Sequence, residues 1–460
     1  MEWIPQWWAK ARTHATRSTG NDGLLDQRPS GGVVASKMER GLIRVGHVVS
    51  PRERDSTVSV SFDDHGAEVI WPREIGFEEA WQRNQGESAP STLIFRDHSG
   101  YLTLREGSSG GMSMSSVGSS QQRIRYRSVV ETGASHADYD HINGMSSEVE
   151  GLARWAKMHA VDGRLEIDSE RKSPRVVITA GNLDPRELGG PLALTLATSF
   201  NHDPTPTNGV YSISEALHVR TRSSETAPWE VHAAAHHMIQ DLMCLVYGYQ
   251  CRARLDSVMR EDDQQFGTDD ERRWWPSVYE PTFGRTDDTA EPMKDNRQPL
   301  FYLDETDPVR VANWLSDFDS WSRPTWIAVT TLFQKNSTVE AQLLQVGIAL
   351  EALGYAIWRR TPQIGGRTPT YERLLKYVTD SIGVELSAIY GDGGNADDWR
   401  QKFNSAFKGA KHADNPLPDG IDAIRRAREG FTLIRCWLAV ELGVELTTLK
   451  PRLDRSHEML

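Results

Sequence analysis

The hydrophobic period of this chain changes once, and that change constrains the fold more than any other feature. From Gly41 onward, apolar residues recur at every second position. After Asp307-Pro308 they recur at the three-and-four spacing of helices. Alternation marks half-buried strands, whereas the longer period marks one buried helix face. Leu42-Ile43-Arg44-Val45, Val58 to Phe62, Ala67 to Trp71, Thr92 to Phe95, Tyr101 to Leu104 and Ile124 to Val130 read as short strands between turn clusters. Arg164 to Ile167 and Arg175 to Ile178 add two more. Residues 147–157 read as a helix carrying Leu152 and Trp155. Residues 231–259 read as one long helix with Val231, Ala235, Met238, Leu242, Leu245 and Tyr249 on its inner face. The Gly/Ser-rich stretch 107–120 reads as a flexible loop, because it lacks the Gly-Lys-Ser/Thr ending of a phosphate cradle.

Beyond Pro308, helices are expected over 314–331 with a break near Pro324, and over 338–359 with Leu343, Gly347, Leu350, Gly354 and Ile357 in one stripe. Further helices are expected over 371–381 and 397–411, and from the N-cap Asp419 to Leu442 with Ile424, Phe431, Leu438 and Leu442 inward. The expected fold class is α+β: a β-rich first part with long helices, followed by an all-α bundle. The expected division is a loose, polar tail over 1–40, a β-rich domain over 41–295 and a helical domain over 296–460. The acidic, aperiodic stretch 261–297 reads as a linker or long loop.

Composition narrows the function. A formal net charge of −12 argues against coating nucleic acid non-specifically, since phosphate binding depends on Lys and Arg. Any nucleic-acid contact must then be local. No apolar run reads as the roughly 20 residues that cross a bilayer, so no membrane contact is expected. The start has neither a basic region nor a long apolar one, which points to the cytoplasm rather than to secretion. Cys244, Cys251 and Cys436 form no CxxC pair and read as buried free thiols.

Several clusters invite a catalytic or metal reading. His136, Asp138 and His141 resemble a metallohydrolase ligand string, but lack its second early histidine and a downstream partner. A polar strand-to-helix loop accounts for them. His232 and His236 stand four apart on a helix, yet three alanines occupy the positions where a zincin carries its glutamate base. They read as a helix-surface or interdomain contact. Asp63-Asp64-His65-Gly66 reads as a turn. No metal and no cofactor is therefore expected.

The segment 399–414 differs from these clusters. Arg400, Lys402, Lys408 and Lys411 lie between Trp399 and Ala413 with no acid among them, and His412 closes the run. The plain alternative is a helix-terminal histidine favoured by the helix C-terminus. Lys408 shares a helix face with His412, however, and the next helix carries Arg425, Arg426, Arg428 and Arg435. If the two helices pack antiparallel, their cations form a phosphate site. A histidine there can take a proton from a ribose 2′-hydroxyl or give one to a leaving 5′-oxygen, while the cations stabilise charge on the phosphate oxygens.

The order of these segments resembles a known family. Residues 342–353, reading Gln-Leu-Leu-Gln-Val-Gly-Ile-Ala-Leu-Glu-Ala-Leu, together with Lys411-His412-Ala413-Asp414, are similar to the HEPN helical bundle of ApeA-like proteins. Pro299-Leu300-Phe301 and Asn313-Trp314-Leu315 resemble the lead into such bundles. Glu150-Gly151-Leu152-Ala153-Arg154-Trp155 and Leu245-Val246-Tyr247-Gly248-Tyr249 resemble the ApeA N-terminal domain. The resemblance covers roughly residues 40–455. It implies an antiphage protein acting by abortive infection, with an N-terminal part (41–295) that senses infection or restrains the effector. The C-terminal HEPN part (296–460) would then cleave RNA, tRNA among the candidates, as a homodimer or higher homo-oligomer assembled through that part. On this reading His412 and Lys408 are catalytic. Lys411, Lys402, Asn404 and Arg400 bind substrate, and Glu351 is the supporting carboxylate. The phage trigger is left open. The family's motif arginine stands a few residues before its histidine, in a window that here holds Ser405, Ala406 and Phe407. Lysine at 408 is a point charge without the guanidinium fork. The alternative reading is a catalytically inactive HEPN protein that binds or dimerises.

Overall fold

Alternating burial closes the first strands into a ring. The computed structural model describes residues 38–49, 56–73, 89–114, 120–133, 138–167, 174–202, 212–263, 275–285, 291–294, 296–334, 336–361, 368–383 and 395–458. The expected tail, apart from 38–40, and His136 lie outside these residues. Strands β1 (Ile43–Val48), β2 (Thr57–Asp63), β3 (Gly66–Arg73), β4 (Thr92–Asp97), β5 (Gly100–Met114) and β6 (Ser120–Thr132) pair antiparallel in the order β1-β2-β3-β6-β5-β4, and β4 returns to β1. Val58, Val60, Phe62, Val69, Phe95, Leu102, Leu104 and Ile124 fill the core of this barrel. Closure leaves these six strands without an open sheet edge over their paired lengths. Arg44, buried, closes the β1–β4 seam with a bidentate ion pair to Asp97, at 2.7 and 2.5 Å.

A second antiparallel sheet has the order β10-β11-β12-β7-β13, formed by β7 (His141–Val149), β10 (Arg186–Gly189), β11 (Leu194–His202), β12 (Ile213–Pro228) and β13 (Ala253–Met259). β8 (Val161–Ile167) and β9 (Pro174–Ala180) form a separate ribbon. The short helix α1 (Leu152–Ala156) follows β7, and α2 (Trp229–Tyr247) packs on β7 and β12. The helical part comprises α3 (Pro308–Ser316), α4 (Phe318–Phe333), α5 (Val339–Arg360), α6 (Tyr371–Ile382), α7 (Ala396–Lys411), α8 (Gly420–Glu441) and α9 (Leu446–Glu458). The fold class is thus α+β, β-rich first and helical after, as expected.

Several local expectations are corrected. Residues 107–114 are not a loop but the outer half of β5, paired with β6. Glycine is required there by crowding: a Cβ at Gly107 would lie 2.1 Å from the Pro90 carbonyl and 2.7 Å from the Tyr126 ring. Within 147–157 only α1 is helical, because 147–149 complete β7 and Gly151 takes a left-handed φ of 80°. The long helix of 231–259 stops at Gly248, φ 58°, and its remainder becomes β13. In the 261–297 stretch, β14 (Val278–Tyr279) joins β6, and Phe283 is buried between the sheets' side chains. Asp138 to Asp140 lead from strand to strand, not from strand to helix. The helix over 314–331 breaks at Asp317, not at Pro324, which lies inside α4. The turn at Asp63-Asp64-His65-Gly66 is present, held by the His65 N–H donating to Asp63 at 2.8 Å.

One hydrophobic core runs from Val149 and Leu152 through α2 to α3–α9, ending at Leu453. Arg435 of α8 fastens the two parts. It is half-buried and donates to the last-turn carbonyls of α2, Leu245 at 2.7 Å and Val246 at 2.9 Å. A Cβ on Gly248 would meet this guanidinium at 2.8 Å. α5 is long and apolar enough to span a bilayer, with mean hydropathy 1.2, against the expectation that no such run exists. Leu343, Val346, Leu350 and Leu353 of its buried face belong to the shared core. Cys244, Cys251 and Cys436 are free and buried, as expected.

Candidate functional site

α7 is built to end in an exposed cationic tip. Asn395 caps its start by accepting from the Asp398 N–H at 2.9 Å, and Asp397 and Asp398 occupy the first turn. Lys408 and Lys411 occupy the last turn, so both ends complement the helix dipole. Trp399, Phe403, Ala406 and Phe407 form the buried face. His412 is the C-cap: its backbone N–H donates to the Lys408 carbonyl at 2.9 Å, and its extended φ of −122° turns the chain toward Pro416 and Pro418.

Lys408, Lys411 and His412 are all exposed, and among the described residues neither lysine has an ion-pair partner. A stack of aromatic rings supports this tip. Phe407 and Tyr371 stack with centroids 4.7 Å apart, and the Lys411 ammonium lies 5.3 Å from the Phe407 centroid. The Tyr371 hydroxyl donates to the Gly347 carbonyl of α5 at 3.1 Å. Gly347 makes room for Phe407, whose ring would sit 2.3 Å from a Cβ there. Glu351, one turn further along α5, is half-buried. Burial raises the Tyr371 phenol well above its usual range, and the Glu351 charge adds to the rise. Glu351 and Lys411 thus border the same aromatic pair.

Three other predicted residues are held elsewhere. Arg400 is buried, donating to the Thr379 hydroxyl at 2.6 Å and to the Asp397 carboxylate. Lys402 is exposed but pairs with Asp398 at 2.6 Å. Asn404 is buried, and among the described residues its side-chain carbonyl has no hydrogen-bond partner. In α8, Arg426 is buried between Asp422 at 3.2 Å and Glu429 at 2.8 Å, and Arg435 caps α2. Only Arg425 and Arg428 of that helix remain exposed. The expected pool of cations is therefore smaller than the sequence suggests. It consists of Lys408 and Lys411 beside His412, with Arg425 and Arg428 on the following helix.

The paired histidines of α2 are core groups, not surface contacts. Ser147 Oγ lies 2.6 Å from His236 Nδ1, and His236 Nε2 lies 3.1 Å from Thr221 Oγ1. Thr221 Oγ1 is 2.8 Å from His232 Nδ1, and His232 Nε2 is 3.2 Å from the Ile142 carbonyl. Because that carbonyl can only accept, one assignment satisfies every atom. Ser147 donates to His236, His236 to Thr221, Thr221 to His232, and His232 to Ile142. Burial pushes His232 down to about 4 and His236 well below its usual range, so both are neutral. No ring nitrogen is left to ligate a metal. Asp138 and His141, the described members of the other string, are exposed and 3.9 Å apart. Among the described residues no three His, Cys, Asp or Glu converge on a metal position.

Sequence reasoning missed Tyr371, whose only signal is an aromatic residue at the first position of α6. It also missed Asp241, fully buried on α2 and paired with Arg285 at 2.7 and 2.9 Å. Searches of curated proteins and of solved structures return no match. The model of the ApeA N-terminal domain 1 matches residues 59–314, from within β2 of the barrel into α3. Matched over more than half its length, the chain belongs to the family of the ApeA N-terminal domain.

Proposed function

We propose that this chain acts in antiphage defence by abortive infection, and that its helical part, residues 296–460, is a HEPN-type effector that cleaves RNA. Family membership over residues 59–314 supports the defence role. The observation that carries the chemistry is the exposed tip of α7, where His412 stands beside two lysines that have no ion-pair partner among the described residues. His412 takes the proton of a ribose 2′-hydroxyl, and the 2′-oxygen attacks phosphorus. The bond to the 5′-oxygen breaks, and that oxygen takes a proton from His412 of a second copy. The products are a 2′,3′-cyclic phosphate and a free 5′-hydroxyl, and no metal takes part. Lys408 and Lys411 stabilise charge on the phosphate oxygens. The reading includes a cytoplasmic homodimer formed through the helical part, with the first part sensing the phage or restraining the effector.

A second reading is favoured by one specific observation. Arg400, Arg426 and Arg435 are all committed to structural partners, and no arginine occupies 405–407. A HEPN protein without nuclease activity, acting by binding or dimerising, fits that arrangement. Ser405 separates the two readings. It is exposed and lies two helical turns before His412 on the same face as Lys408, whereas Ala406 and Phe407 are buried. Ser405→Arg is expected to raise RNA cleavage in infected cells about tenfold if the site is an active nuclease. An inert module gains nothing. The direct test compares wild type with His412→Ala in a bacterial host, following growth and RNA integrity after phage infection. Cleavage by the wild type and intact RNA in the variant are expected.

A further inference from the structure

A notch on the second sheet has the properties of a peptide site. β7 pairs with β12 from His218 onward, then leaves the sheet at Val149 and turns through Gly151 into α1. β12 runs on in the other direction as residues 213–217, which pair with β11 on one side. On the β7 side, no described strand pairs with them. The space so opened is a cavity of about 490 Å³, a size typical of pockets for small ligands or short peptide segments. Val149, Leu152, Met158 and Leu217, all buried, line its apolar floor.

The charges around it are unevenly compensated. Glu150 is occupied by Arg252 at 2.6 Å, Glu215 by His159 at 2.7 Å and the Val161 N–H at 2.8 Å, and Glu148 by Arg254 at 3.1 Å. The cations on the lining are not neutralised in return. Arg154 donates to a neutral acceptor, the Arg297 carbonyl at 2.7 Å, and among the described residues neither it nor Lys294 has a carboxylate partner. An apolar floor, an open strand edge and two uncompensated cations specify one kind of occupant. We propose that the notch binds an extended acidic peptide segment. Its main chain would add along β12, an apolar side chain would fill the floor, and a carboxylate would meet Arg154 and Lys294. This site lies on the β-rich part and does not depend on the RNA reading.

The test uses the full chain and two probes, the N-acetylated tetrapeptide Ala-Leu-Val-Asp and the same peptide ending in Lys amide, with binding followed by calorimetry at low salt. The acidic peptide is expected to bind at least about tenfold more tightly than the basic one. Lys294→Gln, at an exposed position, should weaken that binding about tenfold. Ala216→Trp should fill the notch and abolish binding with an unchanged melting temperature. Equal binding of the two peptides, or wild-type binding by both variants, overturns the proposal. Octanoate competing as strongly as the acidic peptide overturns it too, because the site would then take a small amphiphilic anion.

Discussion

Glu280 stands beside β14 with its carboxylate 3.2 Å from Arg127, and one of its oxygens is buried without a partner among the described residues. Burial pushes its carboxyl from 4.5 up to about 7. Glu106 and Glu230 add to the rise, and Arg127 and Arg105 oppose it. A carboxyl raised in the folded state favours folding while protonated. Its contribution is complete below about pH 4.5 and is lost as pH rises through 7. His232 and His237, both lowered to about 4 by burial, act in the opposite sense, and their share of stability grows between about pH 4 and 6.5. Glu280→Gln isolates the first effect. The variant should be more stable than wild type at pH 8, by about 1–3 kcal/mol, and equal to it at pH 4.5 in urea titrations. Equal midpoints at both values would mean that Glu280 is better solvated than its burial implies. Few such residues are legible in a sequence. Arg400 looks free until Thr379 is brought beside it, and His232 and His236 look like ligands until Ser147, Thr221 and Ile142 consume their nitrogens. His412 was legible because it closes the basic run at a helix end followed by Asp414, Asn415 and two prolines, and it is exposed.

At the scale of elements, hydrophobic period identified most strands and helices, since burial of one face is a local pattern. It failed where the deciding contact is distant. Within the Gly- and Ser-rich half of strand β5, Gly107 is set by the close approach of Pro90 and Tyr126, and composition alone makes such a segment look like a loop. The end of α2 was missed because β13 continues an apolar pattern after Gly248, and short apolar runs do not distinguish strand from helix. The approach of α5 and α7 is similarly set by one missing Cβ. Gly347→Ala would place a methyl 2.3 Å from the Phe407 ring, and overpacking of this kind costs about 1–3 kcal/mol. Because Phe407 carries Tyr371 and Lys411, the variant should lower both the melting temperature and RNA cleavage. A lowered melting temperature with full cleavage would separate the aromatic stack from the site.

For the whole molecule, the second sheet and the helical part share one core while the barrel has its own, so the sheet and the helices are expected to unfold together. The sequence suggests two fused domains because its period changes at Pro308, and period is silent on whether two faces meet. Arg435 marks the meeting point, and Arg435→Met would remove its two charge-assisted hydrogen bonds to the Leu245 and Val246 carbonyls, which keep the Gly248 and Leu300 N–H groups at 3.3 and 2.9 Å. A loss of about 1–3 kcal/mol is expected, seen as the same fall in midpoint by tryptophan fluorescence and by far-ultraviolet circular dichroism. Divergent midpoints would indicate that the two parts unfold independently. The joint core also means that a ligand on the second sheet acts on a molecule whose proposed effector tip is attached through continuous packing. The central claim concerns that tip, and the chemistry of the RNA ends tests it most directly. RNA from phage-infected cells carrying the wild type should contain new 2′,3′-cyclic phosphate ends, and His412→Ala should reduce them at least about a hundredfold with its melting temperature unchanged. Intact RNA with the wild type, or equal ends with His412→Ala, would contradict the account.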